Sequence, residues 1–359
     1  MLNILQVCPI SFKAFGGGYA EHVRNVSVRL AKKHSVTLYG SNPGGVYPKF
    51  EVVEDVGVHR FKHFSPGNAY YLSLELLLKL RRSNFDVVHS HGYQAFPMHL
   101  ARLAKCRKFV VSPHYHARSQ SAFRSLLMGI FKPLGRSTLK AADSVICVSE
   151  YEKSLICNLM GSENGNVHVI PNGVDLKDFS NLKRKERDHR FILFVGRLEK
   201  YKGVQYLIEA LSRFDDDVVL NVVGKGPFRD SLWNLAKRNK VLDRVNFYQD
   251  VPRSELLQMY VDADVFVLLS RYESYSIAVA EALAAGTPCV LANATALSEW
   301  MSPRRCVGLD FPINFPCLVE AIMSLMGRRL AHSDIADLLG TKILDWDTVV
   351  GKLEDVYEV

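Results

Sequence analysis

Short apolar runs alternate with amphipathic stretches along all 359 residues. In the first half "NILQV", "SVTLYG", "FDVVHSH", "KFVVSPH" and "DSVICVS" read as strands. In the second half "FILFVGR", "VVLNVVGKG", "VNFYQD", "VFVLLS" and "PCVLAN" do the same. The stretches between them carry helical spacing: "YAEHVRNVSVRLAKKH" puts Val23, Val26 and Leu30 on one face. Apolar strands alternating with helices predict an α/β chain whose parallel sheets are covered on both sides. The polar stretch "DLKDFSNLKRKERDHR" at 175–190 has no apolar period and reads as the crossing between two such domains. The last stretch, "WDTVVGKLEDVYEV", reads as a helix with Val349, Leu353 and Val356 on one side. The predicted division is 1–174, 175–345 and a closing helix 346–359.

Bulk composition narrows the class. The length fits about two domains. No run of 18 apolar residues suggests a membrane-spanning helix. The opening "MLNILQVCPISF" reads as a first strand rather than a signal peptide. The seven cysteines form no Cys-x-x-Cys pair, which argues against a disulfide framework or a zinc site and points to a reducing cytoplasm. The net charge of +8 is uneven: residues 1–165 hold 21 Lys+Arg against 10 Asp+Glu, the remainder 24 against 27. A basic first half suggests an anionic partner there, either phosphate-bearing donors or an anionic membrane surface. No recognised motif supports nucleic-acid binding.

Parallel sheets bind ligands beyond the C-terminal ends of their strands, so the residues that follow each strand are the candidates. With two domains, the cleft between them is the expected site. After the first strand, Gly16, Gly17 and Gly18 lead into a helix, where backbone can approach an anion. This is neither a Gly-x-Gly-x-x-Gly loop nor a Walker loop. His91 in "HSHGYQ", and His114 and His116 in "SPHYHARS", sit at or just past strand ends, although a metal is not indicated because no carboxylate or thiol shares their spacing. In "VGRLEKYKG", Arg197 and Lys202 leave a strand end before a helix, which suits a diphosphate clamp. In "RYESYSIAVAEALAAG", Glu273 lies in the loop after a strand and Glu281 about two turns into the following helix. A buried carboxylate is costly without a partner. Glu281 therefore either accepts hydrogen bonds from a sugar's hydroxyl pair or pairs with a neighbouring Lys or Arg.

Taken in order, "VGRLEKYKG", the Glu273–Glu281 pair closing on "EAL", and "VIPNGVDLKDF" at 169–179 resemble the family 4 glycosyltransferases of the GT-B fold, and "ICVSEYEKSL" and "VVGKGPFRDSLWNLA" add to the likeness. The resemblance covers nearly the whole chain. It implies two Rossmann-like, doubly wound parallel-sheet domains facing an interdomain cleft, with the last helix packed back on the first domain. It also implies residue roles. Arg197 and Lys202 hold the donor diphosphate, Glu281 the ribose hydroxyls and Glu273 the transferred sugar. Gly17 and Gly18 approach donor phosphate and acceptor, and His114 lies near the reacting sugar with His116 as the alternative. His91 and His116 are candidates on the acceptor side, and Asn172 and Gly173 are structural. Two departures stand out: the usual Gly-Phe-Gly after the first glutamate is Ser274, Tyr275, Ser276, and the usual Gly-Gly-x-x-Glu is "TALSE", matching only at Glu299.

The expectation is a retaining hexosyltransferase acting in cell-surface polysaccharide or glycoconjugate biosynthesis. It would move a hexose-type sugar from a UDP- or GDP-linked donor to a glycan or lipid-linked acceptor, without cofactor or metal. The stretches "AYYLSLELLLKLRR" and "FRSLLMGIFKPLGRSTLK" mix apolar residues with cations, which would place it at the inner face of the cell membrane. The rivals are a GT-B phosphorylase or epimerase, for which no pyridoxal-phosphate lysine context is found, and a non-catalytic sugar-nucleotide-binding module, supported only by the altered Ser-Tyr-Ser loop.

Overall fold

A computed structural model describes residues 1–9, 12, 18–65, 70–116, 122–161 and 165–358, and for 122–130 the backbone alone. It has two compact units, Met1–Gly173 with Trp346–Val359, and Val174–Asp345.

The first unit is built on eight strands: β1 (Asn3–Val7), β2 (Ser35–Ser41), β3 (Phe50–Val53), β4 (Val56–Phe61), β5 (Asn84–His91), β6 (Lys105–Ser112), β7 (Ser144–Cys147) and β8 (Val167–Val169). Their order is β3-β4-β2-β1-β5-β6-β7-β8, and every neighbouring pair is parallel except β3–β4. The apolar runs of the central strands are buried outright, with Leu5, Val88, Val111 and Val145 in one core. The β3–β4 hairpin is absent from the sequence expectation. Its strands are half-exposed and alternate, so they show no continuous apolar run. Glu54 and Asp55, both at positive φ (50° and 64°), make its two-residue turn.

The Gly18–Ala31 helix buries Val23, Val26 and Leu30 as its spacing predicts, and His22 lies on the same face. The final helix, Trp346–Tyr357, belongs to this unit and buries Trp346, Val349, Val350, Leu353 and Tyr357. Val356 is only half-buried; Tyr357 takes the inward place beside it. Glu354 on this helix accepts from Lys33 (2.8 Å) and contacts His34 (3.0 Å).

The second unit holds β9 (Arg190–Val195), β10 (Val218–Val223), β11 (Val245–Tyr248), β12 (Val265–Leu268), β13 (Cys289–Ala292) and β14 (Cys306–Leu309), all parallel in the order β11-β10-β9-β12-β13-β14. The polar stretch 175–190 lies against this unit. Arg184 and Arg187 pair with the buried Asp264 and Asp262, and the Lys185 N–H donates to Asp262 at 2.8 Å.

Strand order reverses between β1 and β5 in one sheet and between β9 and β12 in the other. At such a switch point neighbouring loops diverge to opposite faces and leave a crevice past the strand ends. Two glycines shape the second crevice. Gly224 (φ 146°) has no room for a Cβ, which would fall 1.9 Å from the Gly196 carbonyl oxygen. Gly203 (φ 86°) lies so close to β12 that a Cβ would come within 2.4 Å of the Leu269 oxygen. That approach brings Lys202 beside the loop that follows β12.

Candidate active site

Lys202 and Glu273 meet at the β9/β12 switch point. The Lys202 ammonium donates to Glu273 Oε1 at 2.5 Å, with both side chains largely shielded from solvent. Burial opposes the lysine's charge, but Glu273 beside it outweighs burial and raises its pKa. Glu273 is fixed at its backbone too: its N–H donates to Thr295 Oγ1 at 3.1 Å. Arg197 stands nearby in sequence but is more than half exposed and bonds Glu199 at 2.9 Å. Two helices begin next to this pair, Val204–Leu211 behind Gly203 and Ile277–Ala284 behind Ser276, and neither has a side-chain cap at its N-terminus. Their first N–H groups thus remain as donors for an anion.

Glu281 is buried as its position in the Ala-rich helix predicts, and it has a cation: Arg253 Nη1 donates to its Oε1 at 2.5 Å. The buried Tyr260 hydroxyl is beside it, its pKa raised by burial and then by Glu281. Of the two sequence readings of Glu281, the ion pair is the one formed in this structure. Arg253 could not be found from the sequence, because it lies 28 residues earlier at the start of another helix.

The Ser-Tyr-Ser loop departs from the expected glycines in residue type but not in backbone. Ser276 has φ 83°, a conformation glycine adopts freely and serine does not. Thr295, standing at the first glycine of the second departure, has φ 53°, a genuine outlier for a β-branched residue. Its hydroxyl spans the Glu273 N–H and the Ala294 carbonyl, which explains why threonine is held there. Tyr275 does not line the crevice. It is buried edge-on against Trp300, its hydroxyl donating to the Lys342 carbonyl (2.6 Å) and its own carbonyl accepting from the Trp300 indole (3.0 Å). Ser274 is half-buried, and Glu299 likewise, its carbonyl accepting from Lys342.

In the first unit, His114 and His91 are joined by two histidines that strand-end reasoning did not select. His91, the last residue of β5, is fully buried, so it does not line an acceptor surface as expected. Its Nε2–H donates to Gln6 Oε1 at 2.6 Å. Gln6 in turn donates to the Tyr357 hydroxyl, which bonds His89 Nδ1 at 2.6 Å, and His89 Nε2 reaches Ser112 Oγ at 2.8 Å. His22 comes from the Gly18–Ala31 helix; its place four residues before Val26 was the signal available for it. Burial holds His22 down to about 4, with Asn172 working against that, and pushes His89, His91 and His114 well below the usual histidine range, their mutual repulsion adding to it.

His114 has φ 47° and keeps some exposure. Its turn is pinned by Glu152, a fully buried carboxylate that accepts from the Tyr115 N–H at 2.5 Å and the Val148 N–H at 2.8 Å. Burial outweighs both of those bonds and raises the Glu152 carboxyl to about 7. His116 follows, half-buried. Gly18 is exposed at the first position of its helix, and Gly17 lies outside the described residues. Gly173 packs on Trp346, where a Cβ would come within 2.5 Å of the indole.

Two family models match consecutive stretches: Glycosyltransferase Family 4 over residues 16–178 and Glycosyl transferases group 1 over residues 177–313. The chain is a family 4-type glycosyltransferase. The transferase is 27% identical to a glycosyltransferase of Methanocaldococcus jannaschii, covering 96% of this chain and 94% of that one. It is 25% identical to the phosphatidyl-myo-inositol mannosyltransferase of Mycobacterium tuberculosis, over 99% and 97%. In fold it is similar to HepE of Anabaena, solved in complex with UDP and glucose, with a TM-score of 0.76, 15% identity and both chains covered completely. The two parallel-sheet α/β units are those of the GT-B fold.

Two outcomes follow for the transferase. Restoring glycine at Ser276 relieves the positive φ, so Ser276→Gly should raise stability by about 1 kcal/mol, read as a higher denaturant midpoint; a lower midpoint would mean the serine side chain contributes more than its strain costs. Glu152 ionises near 7 when folded and near its ordinary 4.5 when unfolded. The folded state therefore binds the extra proton between those values, and stability from this group is present below pH 4.5 and lost as pH rises to 7. The loss is at most about 3 kcal/mol. Subtracting the stability profile of Glu152→Gln from that of the native protein should expose this fall, and a flat difference would contradict it.

Proposed function

We propose that the transferase moves a hexose-type sugar from a UDP- or GDP-linked donor to a glycan or lipid-linked acceptor with retention of configuration. The observation that carries this reading is the Lys202–Glu273 pair flanked by two uncapped helix N-termini at the switch point of the second sheet. A diphosphate offers the anion that Lys202, Arg197 and those N–H groups are arranged to receive. On donor binding Lys202 exchanges Glu273 for phosphate, and Glu273 becomes available to the hydroxyls of the transferred sugar. Glu281, paired with Arg253, takes the ribose hydroxyls.

In this reading the bond from the sugar's anomeric carbon to the donor phosphate breaks through an oxocarbenium-like state. Positive charge fixed in advance stabilises the departing diphosphate. That phosphate removes the acceptor's proton as the new glycosidic bond forms on the same face. His114 keeps the place the family gives it, at the reacting sugar. Charge stabilisation comes from Arg197 and Lys202, so the transfer is proposed to need no metal. The HepE complex, with UDP and glucose, supports a nucleotide-sugar donor.

A panel of UDP- and GDP-sugars, read by thermal shift and released nucleoside diphosphate, tests the reading. One donor should respond, and Arg197→Ala should lose the response. Glu281→Gln should weaken donor binding by about 1.5–3 kcal/mol, roughly tenfold to a hundredfold. Normal donor affinity in that variant would remove Glu281 from the ribose, and no response to any donor would overturn the assignment.

The lipid-linked form of acceptor is favoured by the surface of the first unit and by the lipid named for the mannosyltransferase relative. Leu74 and Leu78 of the Leu74–Arg81 helix are exposed, as are the paired Phe64 and Leu72, with Lys49, Lys79, Arg81 and Arg82 around them. The second stretch named from the sequence differs. From 131 onward it is an ordinary packed helix, burying Phe131, Thr138 and Leu139 and exposing Lys132, Arg136 and Lys140. Among the described residues no helix is long and apolar enough to cross a membrane. Attachment at the inner face of the cell membrane would thus be peripheral, through the Leu74–Arg81 helix. In a flotation assay with anionic vesicles at low salt the native protein should float and a Leu74→Ser, Leu78→Ser variant should not; a native protein that stays in the pellet removes the membrane claim.

A further inference from the structure

We infer that His22, His91 and His114 form a binding site for one borderline transition-metal ion of the zinc class. Each offers a ring nitrogen, and the three nitrogens lie within 4.8 Å of one another. Three imidazoles bound tetrahedrally at about 2.0–2.1 Å place their ring centres roughly 5 Å apart. Here the centres are 5.0 Å apart for His22 and His114, 5.8 Å for His22 and His91, and 5.8 Å for His91 and His114. The backbone has thus already set the spacing. A tetrahedral site brings its nitrogens to about 3.3 Å, so the largest closure required is about 1.5 Å at the ring tips.

Side-chain chemistry points the same way. His91 Nδ1 and His114 Nε2 are buried with no hydrogen-bond partner, and His22 has no well-formed bond at either nitrogen although the Asn172 side chain is next to it. His91 is the decisive case. Its Nε2 lies 2.6 Å from Gln6 Oε1, which can only accept, and the Gln6 amide nitrogen is 3.4 Å from the Tyr357 hydroxyl. The proton of His91 is therefore on Nε2 and the lone pair on Nδ1. A histidine whose far nitrogen donates to a fixed acceptor is oriented as metal-ligating histidines are. Three imidazoles with no carboxylate or thiol among them favour zinc, cobalt, nickel or copper over magnesium or calcium. His114, the partly exposed member, gives the ion its entry side, and a three-ligand set leaves one position open for water. None of the three histidines is among the residues assigned to the diphosphate, so the ion is not proposed as a catalytic one. It would instead occupy His114 and slow transfer, a consequence that rests on the transferase reading.

Equilibrium dialysis of chelator-treated full-length protein against Zn²⁺, with bound metal measured, tests the site without reference to activity. One equivalent per chain is expected, lost in His22→Gln and His114→Gln variants that unfold cooperatively. Gln6→Met should weaken binding by about tenfold to a hundredfold. The native protein loaded with Co²⁺ should show the visible bands of a tetrahedral nitrogen-donor site, displaced by Zn²⁺; this measurement decides the matter if the variants do not fold. No stoichiometric binding, unchanged binding in folded variants, or near-ultraviolet sulfur charge-transfer bands placing the ion on cysteine would each overturn the inference.

Discussion

The constraint on which the rest depends is direction. Every neighbouring pair of strands but β3–β4 is parallel, so in each sheet the C-terminal ends of the parallel strands, and the loops that follow them, lie at one end. A chain built in this way cannot scatter its chemistry. Arg197, Lys202 and Glu273 leave β9 and β12 at a switch point, and His91 ends β5 at the other. Helices starting at the same end add their unsatisfied N–H groups. Charge, carboxylate and anion-binding backbone are thus gathered by topology, and side-chain packing only refines their positions.

That is also why so much was legible in the sequence. Apolar runs marked the central strands, and the rule that ligands bind past strand ends selected Arg197, Lys202, Glu273 and His114. What stayed hidden has physical causes. The β3–β4 hairpin is an edge whose alternation is diluted by solvent-facing residues. The bond between Lys202 and Glu273 spans 71 positions and depends on Gly203 lying against Leu269. Arg253, Gln6 and Tyr357 act through contacts that no local pattern encodes. His22 was visible only as a polar residue on an apolar helical face.

The two departures from family pattern carry a separate lesson. Ser276 and Thr295 replace residues that tolerate positive φ, yet the backbone keeps positive φ at both. The surrounding packing, with Tyr275 wedged against Trp300 and tied to Lys342, dictates the path more strongly than the local residue does. At Thr295 the strain has a visible return, since the hydroxyl anchors Glu273. At Ser276 no bond of the side chain explains the exchange. Loss of a glycine from a motif is therefore poor evidence that the loop has lost its shape.

The bond between Gln6 and Tyr357 joins positions 351 apart, almost the full reach of the chain. Its consequence lies in the order of synthesis. The Val174–Asp345 unit is one continuous segment, complete as soon as its own residues have left the ribosome. The unit that begins the chain is not: Tyr357, the polar partner of Gln6 and His89, sits in the Trp346–Tyr357 helix, so those bonds cannot form until that helix has been made. The part made first is the part finished last. His22 and His89 gain their neighbours Trp346 and Tyr357 only after the residues of the other unit have been synthesised.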